Sequence, residues 1–141
     1  MQTLLENLYK QETTFGETDF SALCGHLGKH VNKRSFLVLY TNFSNMTSLN
    51  RQLVYLQQLA RQHRVLVVFF EDADLKEYIA GKSVTTEEYY RHVIAEKFAF
   101  EKRLIVSTLK QHGIYSLLTT PDKLSIDVIN KYLEMKSRQL L

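Results

Sequence analysis

The chain has one cysteine, one proline and no tryptophan among its 141 residues. With Cys24 alone, no disulfide can close within the chain, which fits a reducing compartment. Pro121 is the sole proline and there are five glycines in all, so no flexible linker divides the sequence. Its length suits a single domain, 1–141. No apolar run reaches the roughly 18 residues that span a bilayer, and the N-terminus lacks a basic-then-apolar leader. The expectation is a soluble, cytoplasmic chain with no direct membrane insertion. Charge of one sign is also scarce. The net charge is +3, and basic residues are scattered apart from short runs such as Glu101-Lys102-Arg103. A nucleic-acid footprint would be a denser stripe, so that partner class is set aside. P-loop, G-x-G-x-x-G, G-x-S-x-G and H-E-x-x-H motifs are all missing, which removes the common nucleotide and hydrolase signatures.

What is present alternates in period. Residues 3–10 place Leu4, Leu5, Leu8 and Tyr9 on one helical face. A second helix, 19–31, starts at Thr18 or Asp19 and gathers Phe20, Leu23, Cys24 and Leu27. "FLVLYT" (36–41) and "RVLVVFFED" (64–72) are continuous apolar runs rather than alternating ones, the pattern of strands covered on both faces. Between them Leu49, Leu53, Leu56 and Leu59 mark a helix capped by Thr47 or Ser48. Asp74 and Glu77 have capping-box spacing for a short helix ending before Gly81, and Thr85 and Glu88 repeat it for a long helix, 86–111, closed by Gly113. Along that helix Tyr90, Ile94, Phe98, Ile105 and Leu109 share a face. A third strand, "IYSLLTT", and a last helix, 125–138, capped by Ser125, complete the order. Strands alternating with helices imply an α/β three-layer sandwich with a small, mainly parallel sheet of three strands.

The segments "SFLVLYTNF", "LVVFFED", "AEKFAFEKRLIVSTLKQHGI" and "INKYLEMKSR" resemble the C-terminal part of a bacterial domain-of-unknown-function family with a von Willebrand factor A (vWA)-like fold, associated with MoxR-type AAA+ ATPases. The resemblance implies a non-enzymatic protein–protein interaction module with a MoxR-type ATPase as partner. It also implies relatives that are membrane-attached with this part in the cytoplasm. In a complete vWA domain a metal-ion-dependent adhesion site takes a D-x-S-x-S strand, a loop threonine and a threonine–aspartate pair. Here no D-x-S-x-S ends a strand. The loop threonine corresponds to Thr18, and the pair corresponds to Thr41-Asn42, so an amide replaces the carboxylate. Magnesium wants hard oxygen ligands and at least one carboxylate to offset dehydration. The remnant is therefore expected to hold no metal, and no cofactor is expected. In the vWA strand order, 36–41 pairs with the missing strand. Its bare edge is expected either to pair with a second copy, through Phe36, Val38 and Tyr40, or to be covered by the N-terminal helix.

Other polar residues are read against simpler roles. Glu71, Asp72 and Asp74 end the second strand and could bind a cation or act as an acid/base pair, although Asp72 or Asp74 is needed as a helix cap. With the Thr41–Ser44 tip they define the alternative function, a small metal-dependent ligand binder or enzyme. His26 and His30 share a helix face with no third zinc ligand in view. Cys24 reads as a small buried hydrophobe, and His63 and His112 as helix-end residues. Tyr89, Tyr90, Phe98 and Phe100 could form a partner groove but read more simply as core, with Phe100, off the main stripe, the exposed interaction candidate.

Overall fold

Arg64–Phe70 is the most apolar run of the chain, and it forms the central strand of the sheet. Its residues Val65, Leu66, Val67, Val68 and Phe69 are all buried, as a strand covered on both faces requires. The computed structural model describes residues 1–12, 18–43, 45–82 and 84–141. Ser44, which belongs to the expected polar tip, lies outside the described residues.

In chain order the elements are α1 (Gln2–Tyr9), α2 (Phe20–His30), β1 (Phe36–Tyr40), α3 (Met46–Gln62), β2 (Arg64–Phe70), α4 (Ala73–Ala80), α5 (Thr86–Gln111), β3 (Tyr115–Thr119) and α6 (Leu124–Ser137). The sheet order is β1-β2-β3 and both pairings are parallel. Leu39 sits opposite Val67, and Leu118 opposite Phe69. The α/β sandwich read from the sequence is thus the observed fold.

The two faces of the sheet are covered unequally. Alternation along each strand sends Leu37, Leu39, Val65, Val67, Phe69 and Leu118 to one face. There they join Phe20, Leu49, Leu56, Leu59, Ile105 and Leu109 from α2, α3 and α5 in one apolar cluster. The opposite face carries Phe36, Val38, Tyr40, Leu66 and Val68, and α6 packs on that side. Met135 of α6 is buried, and the Tyr132 ring lies 5.7 Å from that of Phe36. Asp127 in the first turn of α6 accepts a 2.5 Å hydrogen bond from the Thr119 hydroxyl, fixing the helix to the end of β3.

Several helix starts differ from the expected ones, for local reasons. Asp19, not Thr18, caps α2, accepting from the Ala22 N–H at 2.9 Å. Asn45 caps α3 through the Ser48 N–H, so Thr47 and Ser48 fall inside the first turn. Asp72 caps α4 through the Leu75 N–H, and the Asp74–Glu77 spacing goes unused. Lys123 stands at the N-cap of α6 with no side-chain cap bond, two residues before the expected Ser125. The capping box Thr85–Glu88 of α5 forms as read, and Gly113 takes the left-handed backbone (φ 72°) beyond its end.

The aromatic residues of α5 depart furthest from expectation. Tyr89, Tyr90 and Phe98 are exposed, as Phe100 is, while Ile105 and Leu109 are buried. The cause is length. A helix of 26 residues runs about 39 Å at 1.5 Å per residue, whereas a strand of 7 residues covers roughly 23 Å. The N-terminal half of α5 therefore extends past the sheet, where Tyr78 of α4 donates to the Glu88 carbonyl and its ring lies 6.2 Å from that of His92. Helix α1 also stands apart. It buries no residue and touches no other element, so it does not cover the edge of β1.

Candidate functional site

The C-terminal ends of the three strands meet at one rim, where open α/β sheets seat ligands. At this rim Thr41 N–H donates to the Val68 carbonyl and Glu71 N–H to the Thr119 carbonyl, each at 3.0 Å. The chain leaves β1 through Asn42 and Phe43. Phe43 turns inward and stacks on Phe20, ring centroids 6.2 Å apart, which holds the start of α2 beside the tip. Asn42 turns outward, and its Oδ1 accepts a 2.6 Å hydrogen bond from the Lys102 ammonium on α5. Burial pushes the Lys102 ammonium below the ordinary lysine value.

A groove of about 1180 Å³ opens here between α4, α5 and the rim. Phe70, Leu75, Ile79, Phe98, Phe100 and Leu118 supply its apolar wall. Of the residues singled out in the sequence, Asn42, Glu71, Asp72, Phe98 and Phe100 line it together; Thr18, Thr41 and Asp74 do not. The groove carboxylates are each engaged. Glu71 pairs with Lys76 at 3.4 Å, Asp72 caps α4, and Glu96 lies 3.4 Å from His92. Among the described residues no three His, Cys, Asp or Glu side chains gather to hold a metal.

A second feature lies along β1. In a parallel pair each residue turns both its N–H and its C=O to one side. Ser35 and Thr41 bond to β2, so Leu37 and Leu39 do too, and the backbone groups of Phe36, Val38 and Tyr40 point away from the sheet. No charge, proline or bulge blunts this edge, the devices by which natural edges are protected. The other edge strand, β3, is approached by α5 and α6, whereas among the described helices and strands β1 is approached by β2 alone. Tyr40 is 59% exposed. Beside the edge, α6 shows a second apolar stripe, Ile126, Ile129 and Leu133, all exposed on the side away from Met135. Tyr132, against Phe36, links the stripe to the strand.

The histidines and the cysteine have structural partners. His63 is buried, and its Nδ1 accepts the Ser35 N–H at 3.2 Å, tying the end of α3 to the start of β1. His26 and His30 stack on each other, and Cys24 is buried with burial raising its thiol pKa.

The residues that sequence reasoning missed are Lys102, Arg103, Lys76 and the α6 stripe. Lys102 meets Asn42 across 60 positions, and no local pattern reports such a pairing. The α6 stripe was legible as three apolar residues at spacings of three and four, but a one-faced reading of the helix absorbs them. The fold and these surfaces define a small α/β sandwich protein with an unprotected edge strand. No family model matches the chain, and no curated protein or solved structure matches it significantly. Among the described residues, no helix is long and apolar enough to cross a membrane.

Proposed function

We propose that this chain is a non-enzymatic protein–protein interaction module that pairs through β1 with a second copy of itself. One observation carries the reading: Phe36, Val38 and Tyr40 direct unpaired backbone groups outward from an uncharged edge. A two-fold axis through Val38 would set β1 antiparallel to its counterpart. Val38 then faces its own copy and Phe36 faces Tyr40, each facing pair exchanging both backbone bonds. The side chains of these three residues lie on the α6 side of the sheet, where aromatic cross-strand pairs add stability. The two α6 helices would flank the seam on one face and bring their Ile126, Ile129 and Leu133 stripes toward each other. Closure of this kind satisfies an isologous interface, the commonest form in homodimers.

The resemblance of these segments to the vWA-like, MoxR-associated family extends the proposal to a MoxR-type AAA+ ATPase as a further protein partner, in the cytoplasm. Sedimentation equilibrium tests the self-pairing. The wild-type chain is expected at twice its 16.5 kDa. Val38→Pro removes only an outward N–H, and Leu133→Asp charges the α6 stripe; both are expected to sediment as monomers with wild-type circular dichroism. A wild-type chain that stays monomeric at its highest soluble concentration contradicts the proposal.

A further inference from the structure

The rim groove has a chemistry that the edge strand does not explain. Its wall is apolar, and its charges are unevenly matched. Glu71 is paired with Lys76, Asp72 caps α4 and Glu96 lies 3.4 Å from His92, while Lys102 and Arg103 pair with no carboxylate among the described residues and the Lys102 ammonium lies 5.5 Å from the centroid of the Phe69 ring. The one hydrogen bond of the Lys102 ammonium goes to a neutral amide, that of Asn42. A partly desolvated cation without a counter-charge favours an anion beside it.

We propose that the groove binds a monocarboxylate carrying an apolar chain, with the carboxylate on Lys102 and the chain along Phe70, Leu75, Phe98 and Phe100. The site is separate from the β1 edge and stands or falls independently of it. Three observations select this ligand class. A divalent cation would have to displace Lys76 from Glu71 and the Leu75 N–H from Asp72. A phosphate would ordinarily sit on a helix N-terminus, and the nearest one, that of α4, is already occupied by the Asp72 carboxylate. An extended peptide needs backbone partners, yet the rim N–H groups of Thr41 and Glu71 are bonded within the sheet. A chain with one anionic end makes no such demand. Concave, mainly apolar sites with a few polar anchors are the usual form of small-molecule pockets. Burial also lowers the Lys102 pKa, so a bound carboxylate would restore stability to the charged form.

Octanoate, octanol and octylamine share one chain and differ in the head group, so they serve as probes. Titrations followed by backbone amide shifts of the wild-type protein give the three affinities. Octanoate is expected to bind saturably, with shifts centred on Phe70, Phe98 and Phe100, and about tenfold tighter than octanol, as a charge-assisted hydrogen bond requires. Octylamine is expected to be the weakest. Lys102→Met should bring octanoate down to the octanol affinity, and Lys102→Arg should keep the difference. The proposal is overturned if octanoate binds no more tightly than octanol, if its shifts fall elsewhere, or if Lys102→Met leaves its affinity unchanged. It is also overturned if an acidic amphipathic helical peptide binds the groove and octanoate does not. The comparison of head groups on the wild-type chain decides the matter even if a Lys102 variant fails to fold.

Discussion

Two apolar residues on α6, two positions apart, should respond very unequally to the same truncation. Met135 is 1% exposed, under the helix against the sheet, and Leu133 is 54% exposed on the outer side. Full burial of a side chain of this size is worth about 1.5–3 kcal/mol, and truncation adds a cavity, so Met135→Ala should cost roughly 3 kcal/mol. For a chain of this length that corresponds to a fall in Tm of about 10 °C. Leu133→Ala removes contacts from a side chain that keeps half its surface in water, and alanine is slightly the better helix former. Its cost should stay below about 1 kcal/mol. Urea denaturation at low protein concentration is the assay, because self-association would add concentration-dependent stability to the wild type. At high concentration the ranking acquires a second signature. Leu133→Ala should lose the rise of Tm with concentration that the wild type shows, while Met135→Ala should keep it. Equal costs for the two variants, within about 0.5 kcal/mol, would show that α6 does not pack on the sheet by the Met135 face.

Other outcomes follow from the helix ends. Thr85→Ala removes the α5 capping bond and should cost about 1 kcal/mol by urea denaturation; a change under a few tenths would show that the cap is idle. Gly113→Ala places a Cβ on a left-handed backbone with open space around it, so conformation alone should cost roughly 1 kcal/mol. The N–H groups of Val84 and then Thr85 hold the Glu88 carboxyl below the usual glutamate range. A depressed carboxylate contributes stability above its unfolded pKa and loses it as pH falls through the folded value. The protection of the Val84 and Thr85 amides, taken relative to their intrinsic exchange rates at each pH, should therefore fall as pH drops through that window, and Glu88→Gln should flatten the dependence. An unchanged pH profile in the variant would contradict the assignment.

The parts of the fold that local chemistry dictates were readable in the sequence. The unbroken apolar run 64–70 named a strand buried on both faces, and the Thr85–Glu88 pair named the start of α5 to the residue. Gly113 marked its end. What could not be read depends on geometry between elements. The periodic aromatics of α5 look like core, yet a helix longer than the strands leaves Tyr89 and Tyr90 over open solvent. Asn45 does not stand out as the cap in the sequence because Thr47 and Ser48, two and three residues on, carry the same chemistry. At the rim, Glu71 and Asp72 are grouped from the sequence with the tip that holds Asn42, while Phe98 and Phe100 are read apart from them. Their common groove arises only when α5 folds back, bringing Lys102 to Asn42. Which β1 residues turn their backbone groups outward depends on the register with β2, which strand alternation alone does not give.

Amide hydrogen exchange along β1, read residue by residue at two protein concentrations, tests the edge-pairing account most directly. Leu37 and Leu39 donate to β2 and should be protected at both concentrations. Phe36, Val38 and Tyr40 have no acceptor among the described residues, so the account predicts exchange near the unprotected rate in dilute solution and strong protection once copies pair. Fast exchange of those three amides at every concentration, beside protected Leu37 and Leu39, would contradict it.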